Sequence, residues 1–337
     1  MRSRPLLAVA VGLGLIAAAC SDDVASTTVG PIATQAPATT PTATTAPPTT
    51  ATPATTAVTE PITFVGADDV ESVISDTSRI VVLNGDITEI LFEIGAGSSV
   101  VGVDVTTTFP PEAAALAQVG FGQRLAAEPV IALDPTLVIG DKLVGPPEVL
   151  DQIRAAGVPV VIIEWANTID EIRPKIETVS MLVGRDDAGA KLADAVDAEI
   201  AAATDLASQA AETPKVVFLY ARGPEALLLF GPGSPPSSLI SAAGGFDPVV
   251  GPPFNTLTPE GLLEANPDII ITTLDAMNSL GGLAEFEALP GVAETTAGQS
   301  GQIIAFDEAL FLALGPRSGE ALMQLIVGLH PELAPEY

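Results

Sequence analysis

Apolar and polar positions divide the chain, from about residue 78 onward, into short apolar runs that alternate with longer amphipathic stretches. The first half carries four such runs, RIVVLN, VVGVD, LVIG and VPVVIIE. Between them lie stretches such as ITEILFEIG and PPEVLDQIRAAG, whose apolar residues recur at intervals of three and four before a Gly. Because strand patterns alternate with helix patterns, the sequence predicts an α/β fold with a mostly parallel sheet.

The middle of the chain, residues 168–211, has a different pattern. It is rich in Ala, Glu, Asp and Leu and contains no strand-like run, which predicts a long helix of roughly 25 to 40 residues. Pro174 or Gly184 could kink this helix. KVVFLY then restarts the alternation, which continues through LLLF, DIIITT and QIIAF to a last helix at residues 317–329. We therefore expect one α/β lobe at residues 62–167, a linking helix, and a second α/β lobe at residues 212–337.

One segment of the first lobe is repeated in the second. Residues 128–140 read EPVIALDPTLVIG and residues 260–272 read EGLLEANPDIIIT, so a Glu, apolar positions, a Pro and an apolar strand coincide at a constant offset of 132. A short helix, a Pro that ends it and a buried strand explain each copy. Any α/β protein could reuse such a unit, but a pseudo-symmetric pair of lobes accounts better for the constant offset.

The start of the chain reads as an export signal. Arg2 and Arg4 precede an apolar run that is shorter than the roughly 20 residues needed to span a bilayer. The run ends in small residues before Cys20, which resembles the lipobox at which bacterial lipoproteins are cleaved and acylated. We expect a signal peptide at residues 1–19 and a lipid on Cys20. A plain signal peptide with an incidental Cys is the alternative.

Residues 20–61 form a region of biased composition, almost entirely Thr, Pro, Ala, Ser and Val after its first few residues. Such a segment cannot bury a core, so it predicts a disordered tether that extends on the order of 100 Å. Cys20 is the only Cys of the chain, which excludes an internal disulfide.

Charge and missing motifs narrow the class of function. A formal net charge of -29 repels nucleic acid and argues against a nucleic-acid partner. The segment GAGSSVVG is not a G-x-G-x-x-G motif, and the chain contains no G-x-S-x-G, P-loop, H-E-x-x-H or Cys/His cluster. A single His leaves no acid–base partner. The sequence therefore favours a binding protein without a catalytic cofactor over an enzyme.

Four segments resemble the solute-binding proteins that serve iron-chelate, cobalamin and haem ABC importers. Two of them, LGGLAEFEALPGVAETTAG and LALGPRSGEAL, are similar to the haem-binding group in particular; the other two are residues 87–113 and 257–273. The similarity covers about residues 78–331. It implies two Rossmann-like lobes joined by one long α-helix, the architecture of a class III solute-binding protein.

The resemblance also implies a function and partners. A monomeric, lipid-anchored protein outside the cytoplasm would capture haem, or a related iron chelate or tetrapyrrole, between its lobes and deliver it to an ABC permease with its ATPase. Haem would then be a transported ligand, with cobalamin or a ferric siderophore as the alternative. A surface protein that keeps the fold for sensing or adhesion, without uptake, is an alternative of another class.

Two Glu residues are candidates for contact with the permease. In this class a Glu on the outer face of each lobe pairs with Arg residues of the permease, and the repeated segment places Glu128 and Glu260 at those positions. Paired carboxylates would fix the register of docking more than they add affinity. Alternatively, each Glu only complements the dipole in the first turn of its helix, which contributes about 0.5 kcal/mol.

The ligand site departs from the family pattern. Relatives carry axial iron ligands just before the Pro of the TTTFPP stretch, in the following loop, and after the first strand of the second lobe. The matching positions here are Phe109, Gln123 and about Leu227, so the usual Tyr and His ligands are not found there. The metal ligand is therefore unknown at this stage.

Other side chains could contact the ligand. Tyr220 ends a predicted strand, and the thioether of Met277 is a possible iron ligand. Trp165 follows a strand, where open α/β sheets bind ligands, and could stack on a macrocycle. Each of the three could instead be a packing residue. His330 follows the last helix, which suggests a solvated helix end instead of a ligand.

Basic residues are few, so three Arg residues stand out as partners for the carboxylates of a ligand such as haem. We expect Arg124 and Arg222 to face the cleft. Arg317 lies at a helix start, where a structural contact is an equal alternative.

Overall fold

The computed structural model describes residues 60–334. The predicted signal peptide, Cys20 and almost all of the predicted tether lie outside the described residues. The described part opens with an antiparallel hairpin of two strands, β1 (Ile62–Val65) and β2 (Glu71–Ile74).

The first lobe is built on a parallel sheet of five strands in the order β5-β4-β3-β6-β7. Its strands are β3 (Ile80–Val82), β4 (Val100–Val103), β5 (Ala117–Gln118), β6 (Leu137–Asp141) and β7 (Val160–Ile163). Its helices are α1 (Gly85–Glu93), α2 (Pro111–Ala114), α3 (Ala127–Ile131) and α4 (Pro147–Ala155). The turn of the β1–β2 hairpin donates a hydrogen bond of 2.7 Å from the Ala67 amide to the Ile162 carbonyl, so the hairpin covers the edge strand β7.

Two helices connect the lobes, α5 (Ile172–Leu182) and α6 (Asp186–Ala207). The sequence predicted one helix here with a kink near Pro174 or Gly184. Pro174 lies in the first turn of α5, where a missing amide hydrogen costs little. Gly184, by contrast, has φ +64°, a left-handed conformation that glycine adopts without strain, and the chain reverses there.

Helix α6 is the long helix that joins the lobes, and α5 packs antiparallel to it. The 22 residues of α6 span about 33 Å. The guanidinium of Arg173 in α5 binds Asp194 at 2.7 Å and Asp197 at 2.6 Å, both in α6. Among the helices within residues 60–334, none is both long and apolar enough to cross a membrane.

The second lobe has a mixed sheet in the order β10-β9-β8-β11-β12. Its strands are β8 (Val216–Ala221), β9 (Leu227–Phe230), β10 (Phe254–Thr256), β11 (Ile269–Thr273) and β12 (Ile303–Phe306). Its helices are α7 (Pro235–Ala242), α8 (Pro259–Ala265), α9 (Leu274–Leu280), α10 (Leu283–Glu287), α11 (Thr296–Ser300), α12 (Glu308–Leu312) and α13 (Ser318–Leu329). Strands β8, β11 and β12 are parallel, whereas β9 is antiparallel to both β8 and β10.

A single hydrophobic core runs through both lobes and the linking helices. It contains Val82 of β3, Val179 of α5, Val196 of α6, Phe218 of β8 and Leu325 of α13, all buried. The strand residues that alternate with those of the shared core point to the other face of each sheet. On that face each lobe has a smaller hydrophobic core of its own. Each sheet is therefore covered on both faces, and the shared core holds the lobes together.

The sequence repeat corresponds to a structural repeat. Helix α3 leads into β6 and helix α8 leads into β11, and both strands lie fourth in their sheets, beside β3 and β8 respectively. Asp134 and Asn266, each just before the Pro of its copy, both have positive φ, 49° and 36°. Short polar side chains tolerate this left-handed conformation. The predicted pseudo-symmetry of the lobes is confirmed at this unit.

Candidate functional site

Contacts between the lobes show where the cleft lies. The guanidinium of Arg317, before α13, binds Glu89 of α1 and lies 4.2 Å from the ring centroid of Phe109. Trp165 stacks on Phe254 of the second lobe, with ring centroids 5.9 Å apart. Phe109 and Trp165 belong to segments that follow β4 and β7. The carboxyl edge of the first sheet, where open α/β sheets bind ligands, therefore faces the second lobe.

A polar cluster lies where β8, β11 and β12 end. The Nε of Arg222 donates a hydrogen bond of 2.6 Å to the Tyr220 hydroxyl, and the same guanidinium forms an ion pair with Glu308. The Thr273 hydroxyl donates to Glu308 at 3.2 Å. Burial raises the pKa of both Tyr220 and Glu308, whereas Arg222 lowers them. The cluster holds one phenol in place at the cleft end of the second sheet.

Buried carboxyl groups line the matching edge of the first sheet. Burial raises the pKa of Asp104 to about 7, although hydrogen bonds from Thr106 and Gly122 oppose the shift. Burial, together with the charge of Asp86, raises the pKa of Asp141 to about 6. Near neutral pH, Asp104 is therefore partly protonated, which reduces the negative charge beneath the cleft.

Exposed apolar side chains follow the carboxyl ends of the strands. Val105 follows β4, Leu143 follows β6, and Phe121 precedes the turn that leads into α3. Leu274 begins α9 directly after β11. Phe254, on the outer strand β10, is 43% exposed. Exposed apolar side chains beside a set of fixed polar groups are typical of a site for a bulky, hydrophobic small molecule.

The three positions that the sequence resemblance suggested for axial ligands carry no Tyr or His. Phe109 is half-buried beneath the Arg317 guanidinium, and Leu227 is half-buried in β9, paired with Ala221. Gln123 is exposed in a short turn of 3-10 helix, Gly122–Arg124. Of all the candidate iron ligands named from the sequence, only Tyr220 has a suitable donor atom at the cleft edge.

The three Arg candidates have different surroundings. Arg317 makes a structural contact with Glu89, and Arg222 is paired with Glu308. Arg124 is exposed beside Gln123, and within residues 60–334 its side chain forms no hydrogen bond or ion pair. Arg124 is thus the candidate whose guanidinium is available to a ligand carboxylate without loss of an existing contact.

Two of the candidate iron ligands, Met277 and His330, do not lie in the cleft. Met277 is half-buried in α9 and packs against the core on the outer face of the second sheet, which fits a gap-filling role. The prediction of a solvated His330 was wrong. Its ring is 2% exposed, because the end of α13 packs on α7, and Nε2 lies 3.0 Å from the Ala243 carbonyl oxygen.

Trp165 has free space beside it. It borders a cavity of about 440 Å³ whose other walls come from the β1–β2 hairpin, including Phe64, and from the start of α5. Phe254, which stacks on Trp165, does not line this cavity.

Glu128 and Glu260 occupy equivalent exposed positions. Each lies in the first turn of its helix, α3 or α8, and precedes the matching strand. Because helices of α/β units run antiparallel to the strands they precede, both carboxylates lie towards the carboxyl edge of their sheet. Neither carboxylate forms an ion pair within the described part of the chain.

Comparison with known proteins agrees with this geometry. A family model described as "Periplasmic binding protein" matches residues 80–310. The chain belongs to this family. The solved structure of the periplasmic heme-binding protein RhuT from Roseiflexus sp. RS-1 is 42% identical, with a TM-score of 0.74, covering 76% of this chain and 99% of that one. The heme-binding protein HmuT is 34% identical, with a TM-score of 0.76, covering 80% of this chain and 90% of that one.

Relatives with other names also match. The cobalamin-binding protein of Halobacterium salinarum is 28% identical over 267 residues, which are 76% of this chain and 70% of that protein. The ABC transporter substrate-binding lipoprotein YvrC of Bacillus subtilis is 24% identical over 288 residues, 82% of this chain and 88% of that one. Solved variants of HmuT include Ala substitutions of a His and of a Tyr and an Arg that lie two positions apart.

Family membership settles the general class of function. The chain is a binding protein and not an enzyme, and it is the extracytoplasmic substrate-binding component of an ABC importer. The class III architecture of two Rossmann-like lobes joined by a long helix is confirmed.

Several residues of the site were not identified from the sequence. Asp104, Asp141, Glu89 and Glu308 each follow or flank a predicted strand end or helix start, a position that alone gives no sign of burial. Phe254 follows two Pro residues in a stretch without alternation, so no pattern indicated a strand or an exposed aromatic there.

Proposed function

We propose that this protein captures haem, or another flat iron-tetrapyrrole, between its lobes, with Tyr220 as the axial ligand of the iron. The observation that carries the proposal is the phenol of Tyr220, held by Arg222 at the edge of a cleft that also exposes apolar side chains. Tyr is an established axial ligand of haem iron. The spacing of Tyr220 and Arg222 equals that of the Tyr and Arg replaced in the HmuT variants, which supports the assignment.

The neighbours of Tyr220 suit this role. The hydrogen bond from Arg222 favours the phenolate, which is the form that binds ferric iron, and Glu308 keeps Arg222 in position. Arg124 is free to form a charge-assisted hydrogen bond with a propionate of the ligand. The exposed apolar side chains along both strand edges would cover the macrocycle.

Titration of the purified protein with haemin tests the proposal. We expect saturable binding with a shift of the Soret band, and a Tyr220→Phe variant should lose the spectral signature of phenolate ligation. Met277→Leu and His330→Gln serve as controls and should leave the spectrum unchanged. A wild-type protein without a Soret shift would exclude haem, and an unchanged spectrum in Tyr220→Phe would exclude Tyr220 as the ligand.

Cobalamin is the second candidate ligand, because relatives at 28% and 26% identity are named as cobalamin- or vitamin B12-binding proteins. Equilibrium dialysis against cobalamin, alongside haemin, distinguishes the two. Tight binding of cobalamin with weak binding of haemin would replace haem as the proposed ligand.

We also propose how the protein meets its importer. The permease, with its ATPase, would contact Glu128 and Glu260, one on each lobe, and the protein would act as a monomer. Cys20 would carry a lipid, and residues 20–61 would link this anchor to the lobes. The Bacillus subtilis relative named as a lipoprotein supports the anchor. Mass spectrometry of the membrane-extracted protein should find acyl chains on Cys20, and Cys20→Ser should release the protein from the membrane.

A further inference from the structure

Trp165 of the first lobe and Phe254 of the second lobe form an aromatic contact that iron ligation by Tyr220 does not explain. Trp165 follows β7 at one edge of the first sheet, and Phe254 begins β10 at one edge of the second. Their rings are nearly parallel, at 24°, with centroids 5.9 Å apart. Trp165 is half-buried and Phe254 is 43% exposed, so both rings remain open to solvent on part of their surface.

The stacked pair is connected to Tyr220 by aromatic contacts. Phe254 meets Phe230 edge to face, with centroids 4.9 Å apart, and Phe230 lies 5.7 Å from Tyr220. Phe254 therefore lies on the same wall of the second lobe as Tyr220, two ring contacts away, and Trp165 of the first lobe stacks on it. The two centroid distances, 5.7 Å and 4.9 Å, bring Phe254 within reach of the rim of a large flat ligand held at Tyr220.

The surroundings of the pair allow it to open. One ring belongs to each lobe, so a small separation of the lobes separates the rings. A flat ring system inserted between two aromatic rings requires about 7 Å between their planes, twice the usual contact distance of about 3.5 Å. Trp165 also borders the cavity of about 440 Å³, which Phe254 does not line, so there is space beside the indole into which its ring can move.

We infer that Trp165 and Phe254 form an aromatic clamp that stacks on both faces of one edge of a flat ligand. The two rings contact each other in this structure, and the inserted edge of the ligand would part them. The ligand is then a planar macrocycle that carries no bulky groups above or below at least one of its edges. A corrinoid with bulky groups above and below its ring does not fit between the rings. This inference rests on the proposed function and adds the residues that select for flatness.

Titration with haemin and with metal-free protoporphyrin IX tests the clamp, because protoporphyrin has no iron for Tyr220. The variants are Trp165→Leu and Phe254→Leu, with Trp165→Phe as the conservative replacement that keeps a ring. Phe246→Leu is the matched control, since Phe246 is also exposed but pairs with Lys215 at the opposite end of β8. Each Leu variant should bind both porphyrins roughly three- to tenfold more weakly, as expected for loss of one aromatic contact.

Trp165→Phe and Phe246→Leu should keep near wild-type affinity, and the Soret position with haemin should stay unchanged in every clamp variant. Wild-type affinity for protoporphyrin in both Leu variants would overturn the clamp. The outcome for the proposed function is separate: Tyr220→Phe should alter the haemin spectrum while it leaves protoporphyrin affinity intact. Trp165 is the only Trp of the chain, so its emission maximum in ligand-free Phe254→Leu checks directly that the stack has been removed.

Discussion

Arg317 and Glu89 join the two lobes through a pair of hydrogen bonds, 2.5 Å from Nη2 to Oε1 and 3.0 Å from Nε to Oε2. The two residues are 228 positions apart, and the guanidinium lies over the ring of Phe109. Burial raises the pKa of Glu89, and Arg317 opposes that shift. The fork geometry of guanidinium and carboxylate fixes both distance and orientation, so this pair adds a directional contact to the shared core that holds the lobes together.

Arg317→Lys should destabilise the protein by about 2 kcal/mol although it keeps the charge, because an ammonium group cannot replace both hydrogen bonds to a buried carboxylate. Denaturant unfolding followed by circular dichroism measures the change. The control is Arg173→Lys, which alters an Arg whose carboxylate partners on α6 are exposed, and it should cost less than about 1 kcal/mol. Equal losses of unfolding free energy in the two variants would show that the Arg317 contact stabilises the protein no more than an exposed ion pair does.

Lys175 provides a second link between the lobes, and its removal should be more severe. Its ammonium group is buried, where it binds Asp86 of α1 and the Leu314 carbonyl of the second lobe. Lys175→Met leaves the Asp86 charge buried without its partner, so we expect a loss of about 3 to 5 kcal/mol in the free energy of unfolding.

The double variant Lys175→Met/Asp86→Leu removes both charges and should recover most of the stability lost in the single variant. Chemical denaturation of the three proteins at one pH forms the test. A single variant as stable as the wild type, or a double variant no better than the single, would contradict the role of a buried ion pair.

The elevated pKa of Asp104 predicts that stability falls as pH rises from about 4 to about 7. In that window the folded protein keeps a proton on Asp104, whose pKa is about 7, whereas the unfolded chain has lost it near 3.8. Because the folded state binds more protons, the free energy of unfolding decreases by up to about 1.4 kcal/mol per pH unit. Asp141, with a pKa of about 6, adds to the decrease below pH 6.

Asp104→Asn should therefore flatten the dependence of stability on pH between 4 and 7, and the variant should gain most relative to the wild type at pH 7 and above. Thermal unfolding across this pH range measures the slope. Asp187→Asn, at an exposed position in α6, is the control and should leave the slope unchanged. A slope in Asp104→Asn identical to that of the wild type would show that Asp104 ionises normally.

The fold was largely predictable because its central strands are apolar runs bounded by helices with clear periodicity. The runs RIVVLN, LVIG and DIIITT correspond to β3, β6 and β11, the strands that are buried on both faces. The hairpin strands β1 and β2 and the edge strands β5 and β10 were not predicted. All four have four residues or fewer and none contains a long apolar run.

The site was less predictable, since its key contacts join residues that are distant in sequence. Tyr220 could be named because it ends a strand, but the hydrogen bond from Arg222 and the ion pair with Glu308 depend on the loop after β8 and on α12. His330 was misjudged for the same reason: a helix end gives no sign of which element packs upon it. The contact of Trp165 with Phe254 likewise depends on the placement of the lobes, which local patterns do not determine.

Charge reversal at Glu128 and Glu260 should abolish delivery to the permease while it leaves ligand binding intact. The two carboxylates are exposed at equivalent positions of the repeated unit, so a partner with two matching basic patches can engage both at once. In Glu128→Lys/Glu260→Lys both contacts become repulsive, and we expect transport in proteoliposomes with the permease and its ATPase to fall at least tenfold. Haemin titration should be unchanged, because neither carboxylate belongs to the cluster of Tyr220, Arg222 and Glu308 that is proposed to hold the iron.

The matched control is Glu148→Lys/Glu285→Lys, which reverses two exposed Glu residues that also lie in the first turns of helices, α4 and α10. This pair changes the net charge and the helix-dipole interactions by the same amount as the test pair. Normal transport with the control and impaired transport with the test pair would assign docking to Glu128 and Glu260. Equal impairment would indicate a general effect of charge, and normal transport in both would leave the two carboxylates with a helix-stabilising role alone.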